Sequence, residues 1–245
     1  MIAVHLHPKR TRHENAPRVL ALFSFRYDAH LVPDMLLNIE PMVDGWLSFD
    51  DRAATEMFTS EPVRRRALLV AAKEAGADWV LAIDPDERFE RGLADAMPQL
   101  TAVSGAVGYH FALRELYAPD AYRVDGVWGR KHQCRLFRMP AEIGHAPTPL
   151  HSPWPTLAPG IELRSSGFSL YHLKMIAPVR RQGRRDLYNR LDPERQSQAI
   201  GYDYLTDETG MVLERIPEGR GYEPAFRDDN GLWMANLEEF ANGNA

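Results

Sequence analysis

Asp84 and Asp86, with Glu87 directly after them, are the residues of this sequence best suited to do chemistry. Two carboxylates one residue apart at a strand end can enter one cleft together. There they bind a hard divalent cation, Mg²⁺ or Mn²⁺, while phosphate oxygens and water fill the rest of its shell. Pro85 helps to aim them, because the residue before a proline is held in extended or turn geometry. This chemistry suits a nucleoside diphosphate, whose paired phosphates must be neutralised before it can leave. Taken alone, the spacing marks a solvated acidic turn more often than a site. What favours a site is its place in the chain.

That place is the end of a short apolar run, Trp79-Val80-Leu81-Ala82-Ile83, which reads as a strand buried on both faces. Upstream, Val19 to Phe25 reads as a first such strand, Pro33 to Ile39 as a helix and Gly45 to Phe49 as a second strand. A helix follows, with Ser60 as its cap, Pro62 in its first turn and Gly76 at its end. The alternation predicts a parallel sheet flanked by helices. Ligands of such sheets bind beyond the carboxyl ends of the strands. All three strands carry acids there: Asp28, Asp50 with Asp51, and Asp84 with Asp86 and Glu87.

The remainder is less regular. Val103 to Leu113, Gln133 to Arg138 and Leu163 to Leu173 read as strands, and residues 144–160, with five prolines, as an ordered loop. Asp192-Pro193 reads as a helix start. Residues 1–17 read as a polar leader, 18–100 and 101–190 as two halves of one domain, and 191–245 as a helical or irregular extension with a frayed end at 242–245. With 245 residues and 44% hydrophobic content, one large α/β domain is the simplest organisation.

A net charge of -5 argues against a general nucleic-acid binder. The single cysteine, Cys134, forbids an intrachain disulfide and fits packing better than nucleophilic chemistry. No stretch approaches the apolar length of a membrane span or a signal-peptide core, so a cytoplasmic location is expected. No P-loop, G-x-G-x-x-G or G-x-S-x-G segment occurs, and His110, His132, His145 and His151 lack zinc spacing.

Ala75 to Glu87 resembles the Asp-x-Asp segment of family 2 glycosyltransferases, with Pro85 replacing the more usual alanine. Trp46 to Asp51 is similar to that family's second strand. Cys134-Arg135-Leu136-Phe137-Arg138 is similar to an Arg-Leu-Phe-Arg segment of a bacterial branch, and Tyr171-His172-Leu173-Lys174 to its late histidine segment. The resemblance covers roughly residues 18–175. It implies a GT-A fold, a Rossmann-like and mainly parallel sheet with an acceptor-side extension. It also implies transfer of a sugar, with inversion, from a UDP- or GDP-sugar to a glycan, lipid-linked or protein acceptor, using Mn²⁺ or Mg²⁺. Asp86 would be the main metal ligand, Asp84 would serve the ribose or a metal-bound water, and His172 would complete the shell. Arg26, Asp28 and Asp51 would line the nucleotide pocket, with Asp50 facing the base or ribose. Asp125 or Glu115, in the aromatic stretch Leu113 to Trp128, would be the base, Asp125 being preferred because Gly126 and Trp128 shape a loop able to stack a sugar.

Two basic runs have double readings. Arg64-Arg65-Arg66 opens the second helix, where one arginine (Arg64 first) can meet a phosphate and at least one is solvated. Arg180 to Arg185 reads as a clamp on the donor diphosphate, or as a surface loop able to touch anionic lipid. Competing functions are a sugar-1-phosphate nucleotidyltransferase, disfavoured by the missing glycine-rich loop after the first strand, and a non-catalytic nucleotide or glycan binder using Trp128 and Trp154.

Overall fold

The computed structural model describes residues 1–7, 16–54, 60–145 and 153–230. His151 and the terminal residues 242–245 lie outside the described residues.

The most apolar run becomes the centre of the molecule. Strand β2 (Val19–Phe25) lies between β3 (Gly45–Asp50) and β4 (Trp79–Ala82), parallel to both. Alternate residues of β2 feed two cores. Val19, Ala21 and Phe23 pack with Met35 and Ile39 of helix α1 (Val32–Ile39), while Leu20 and Leu22 pack with Leu68, Leu69 and Ala72 of helix α2 (Glu61–Glu74). Burial on both faces is why this strand reads as a continuous apolar run. Ser60 occupies the cap position of α2, but its side chain makes no capping hydrogen bond. Gly76, at φ +75°, ends that helix in the left-handed region that glycine tolerates best.

Beyond this core the expected, mainly parallel sheet is not what forms. The fold is α/β, but the sheet, ten strands among the described residues, is mixed and mostly antiparallel. Strand β1 (Ile2–Leu6) pairs antiparallel with β3, so the expected leader begins with an edge strand. Gly45 permits this contact, since a Cβ there would come within 2.4 Å of the His5 carbonyl oxygen. On the other side, β4 pairs antiparallel with β8 (His132–Arg138), and β8 with the long β6 (Val107–Ala118). The sheet continues through β7 (Ala121–Arg123) to β10 (Leu213–Arg215). Strand β9 (Glu162–His172) runs parallel to β6 and antiparallel to the short β5 (Glu87–Phe89). The strand–helix alternation governs only residues 19–82; later strands pair chiefly as antiparallel neighbours.

Helix α3 (Leu93–Thr101) joins α1 on one face, and the short α4 (Trp154–Leu157) joins α2 on the other. The expected loop at 144–160 thus contains a helical turn. Two further expectations are corrected near the C-terminus. Arg180 to Arg185 is no loop, but part of helix α5 (Pro178–Leu191). Arg180 and Arg181 are buried there, ion-paired with Asp229 and Glu208. Asp192 starts no helix; it follows the end of α5. Its carboxylate accepts backbone N–H bonds from Gln196, Ser197 and Gln198 and a 2.8 Å bond from the Tyr202 hydroxyl. Residues 198–205 are thereby folded back toward the carboxyl ends of the parallel strands.

Among the described residues, no helix is long and apolar enough to cross a membrane.

Candidate functional site

The carboxyl ends of β2, β3 and β4 open on one cavity of about 560 Å³. Asp28 follows β2, Asp51 follows β3, and Asp84 and Asp86 follow β4; all four line it. Arg26, Arg64, Glu115 and His172 line it too. Two sequence candidates are not brought there. Asp50 turns to Arg52, 2.7 Å away. Asp125 forms a bidentate pair with Arg123, at 2.8 Å for each bond, and accepts the Val212 N–H. The preferred base is therefore a clasp between β7 and the segment before β10. Trp128, expected to stack a sugar, is instead buried in a small core with Met175, Tyr202 and Leu205.

The acidic turn is held at several points. The Glu87 N–H donates to the Asp84 carbonyl at 2.9 Å, and the Asp84 N–H to the Glu87 carboxylate at 3.0 Å. Beyond the turn, β5 is secured by Asn38, whose amide exchanges two hydrogen bonds with the Phe89 backbone. The Leu173 N–H donates to the Asp86 carbonyl at 2.8 Å, so the end of β9 fixes the turn from the other side. Pairing of Glu87 with His172 across β5 and β9 carries the imidazole to the acids.

Three cationic groups then meet the acids. Arg135, on β8, places Nη2 2.7 Å from Asp84 and 2.5 Å from Glu87. Arg184, on α5, donates to Asp86 Oδ2 at 2.9 Å. His172 lies between two carboxylates, with Nε2 3.3 Å from Asp86 and Nδ1 3.1 Å from Glu115. Burial alone would raise the pKa of Asp86, but His172 and Arg184 outweigh it and hold Asp86 well below the ordinary range. Burial likewise works against the Glu115 carboxylate; Lys174, 3.4 Å away, and His172 hold its pKa down. Burial and Lys174 oppose a charged His172, yet Asp86 and Glu115 raise its pKa. Asp28 behaves in the opposite way: burial and then the nearby Asp86 push it up to about 7.

At the other acidic strand end, Asp51 is buried 3.1 Å from Arg64, with Arg26 at 3.9 Å. Arg65 pairs with Glu61 and stacks over Trp154, while Arg66 is exposed. One of the three arginines is thus solvated and two face the cavity.

Two carboxylates and an imidazole suit a hard cation that shares its shell with a diphosphate. Among the described residues, however, no group of three or more such side chains is arranged to hold a metal. Each Asp86 oxygen faces a cationic partner, so a metal at Asp86 must exchange with Arg184. The donor chemistry fits; its present partners must release it.

Arg184 lies in the arginine run read as a diphosphate clamp, whereas sequence reasoning did not single out Arg135, Lys131, Lys174, Tyr188, Tyr202 or Tyr204 for the cavity they line. Arg135 and Lys174 sat within quoted segments without a role of their own. The others carry no local spacing that separates them from surface residues.

A scan against protein-family models found no match, and neither did a search of the curated proteins.

Proposed function

We propose that this chain is a metal-dependent glycosyltransferase of the GT-A type. It moves a sugar, with inversion, from a UDP- or GDP-sugar to a glycan, lipid-linked or protein acceptor. The observation that carries this reading is the convergence of Asp28, Asp51, Asp84 and Asp86 from three parallel strand ends into one cavity. Ligands of open α/β sheets bind at such an end.

In this reading Asp51, rather than Asp50, faces the base or ribose. Arg26 and Arg64 orient it. Asp86, with Asp84 and His172, would hold Mn²⁺ or Mg²⁺ once their present partners release them, and the ion would supply neutralisation of the departing diphosphate. Arg184, which lines the same cavity, would give up Asp86 to such an ion and could then serve a phosphate, the clamp role proposed for the arginine run. Glu115 replaces Asp125 as the carboxylate nearest the acceptor. Lys174 and His172 keep it ionised, ready to accept the hydroxyl proton. Those cations also weaken it as a base, so catalysis rests more on positioning and on charge stabilisation. A cytoplasmic location fits the supply of nucleotide-sugars.

A second reading has its own observation. Arg135 and Arg184 already neutralise Asp84 and Asp86, which favours a nucleotide or glycan binder that needs no metal. Calorimetric titration of UDP and GDP, with and without Mn²⁺, separates the two. Metal-dependent binding of one nucleotide, lost in Asp86→Ala, supports the transferase. Equal binding with and without metal supports the binder, and no binding of either nucleotide sinks the donor site.

A further inference from the structure

The cavity extends past the acidic turn to a second wall that the donor does not account for. Tyr188, Gln198, Tyr202, Tyr204 and Leu205, all from α5 and the segment after it, line this wall. Tyr188 and Tyr202 stack on each other with centroids 5.1 Å apart. Tyr204 packs on the buried Trp128 at 5.3 Å. Aromatic faces beside polar groups are what a sugar ring needs on its apolar side.

The charge of this end is unbalanced. Glu115 is its carboxylate, and a cationic side chain faces each of its two buried oxygens without a hydrogen bond to either. Oε1 faces the Lys174 ammonium at 3.4 Å and Oε2 faces His172 at 3.1 Å. Lys131 reaches the same Oε1 only at 4.0 Å, beyond hydrogen-bond length. Its ammonium sits instead over two rings, 4.8 Å from the Trp128 centroid and 5.3 Å from that of Tyr204. The rings hold the cation in place without neutralising its charge. Two lysines therefore share this carboxylate, while Asp86, the other acid beside His172, is already met by Arg184, and the local excess is positive.

We propose that the acceptor is an anionic saccharide, a sugar bearing a carboxylate or a phosphate. Lys131 is its specificity-determining residue and Tyr204 its stacking surface. A neutral sugar would leave Lys131 with only Glu115, 4.0 Å away, in a recessed, aromatic setting; an anionic one supplies a closer counter-charge. The inference rests on the transferase reading for the word acceptor, but the anion site stands on Lys131, Lys174, Trp128, Tyr204 and Glu115.

The test uses the full chain and three probes: methyl β-glucuronide, glucose 6-phosphate and methyl β-glucoside. Their affinities are measured by ligand-observed NMR titration, with and without UDP or GDP plus Mn²⁺. At least one charged probe is expected to bind about fivefold or more tighter than the neutral glucoside. Which charged probe wins distinguishes carboxylate from phosphate. Lys131→Ala should abolish that preference, and Lys131→Arg should keep most of it, with nucleotide affinity unchanged in both. The proposal is overturned if charged and neutral sugars bind equally, if none binds, or if Lys131→Ala weakens all three alike. Displacement of the charged sugar by nucleotide also overturns it, since the anion would then be occupying the diphosphate position. Failure of nucleotide binding with the charge preference intact would overturn the donor reading and leave the anion site standing.

Discussion

Arg184 Nη2 stands 2.9 Å from Asp86 Oδ2, although 98 residues separate the two in the chain. The guanidinium holds the carboxylate expected to be the main metal ligand. Metal and arginine therefore compete for one oxygen. Arg184→Ala should bind Mn²⁺ about three- to tenfold more tightly than wild type when no nucleotide is present. Manganese EPR titration reads this directly. Unchanged or weaker Mn²⁺ binding would mean that the arginine does not compete with the metal.

Arg135 joins the two ends of the acidic turn from β8. Removing it leaves Asp84 and Glu87 facing each other without their shared cation. Glu87 is fully buried and cannot rehydrate, whereas Asp84 is 38% exposed and can do so in part. Arg135→Ala should accordingly destabilise the fold by about 3 kcal/mol, the lower end for a broken buried pair. Urea unfolding measures it. A loss below about 1 kcal/mol would show that the turn does not depend on this contact.

Asp28 sets a pH dependence of unusual sign for a carboxylate. Its folded pKa, about 7, lies above the unfolded value. Folding thus favours the protonated form, and stability falls as pH rises from about 4 to 7. Asp28→Asn removes the cost and retains an oxygen for the Arg26 N–H. At pH 8 the variant should be more stable than wild type by on the order of 1–2 kcal/mol, reduced from the full shift because Asp28 is partly exposed. The gap should close toward pH 4. Parallel unfolding curves at the two pH values would contradict this.

Asp125 faces Arg123 and the Val212 N–H rather than the cavity. Asp125→Asn should lower the melting temperature and leave metal-dependent nucleotide binding at the wild-type level. If calorimetry instead shows nucleotide binding lost in a variant that remains folded, this carboxylate belongs to the site after all.

Continuous apolar runs made β2 and β4 legible, because burial on both faces demands such runs. The acids after them were legible for the same reason: a buried strand must end before it can present a charge. Asp51 and Asp50 show the limit. Neighbouring residues alternate sides, and only packing decides that Asp51 enters the cavity while Asp50 meets Arg52. Helix α5 was missed because its first turns carry arginines where a core-facing helix carries leucines. Their partners, Glu208 and Asp229, lie too far along the chain to give a local signal. Asp192-Pro193 misled for a related reason. The carboxylate does accept backbone N–H groups, but those of a turn after α5 rather than those of a new helix. Sheet direction beyond residue 82 was equally hidden, since an apolar strand reads the same whether its neighbour runs with it or against it.

Placement of Arg184 and His172 so late in the sequence has a consequence for how the protein is made. The strands that present Asp28, Asp51, Asp84 and Asp86 are complete before residue 90 has been synthesised. The imidazole and guanidinium that meet Asp86 follow only after a further eighty or so residues, on β9 and α5. On the ribosome, the nascent N-terminal half must carry a cluster of like charges without two of its counter-charges. Native closure of the acidic turn thus waits for β9 and α5, and a chain cut short before them would keep its acids but lack two of their partners.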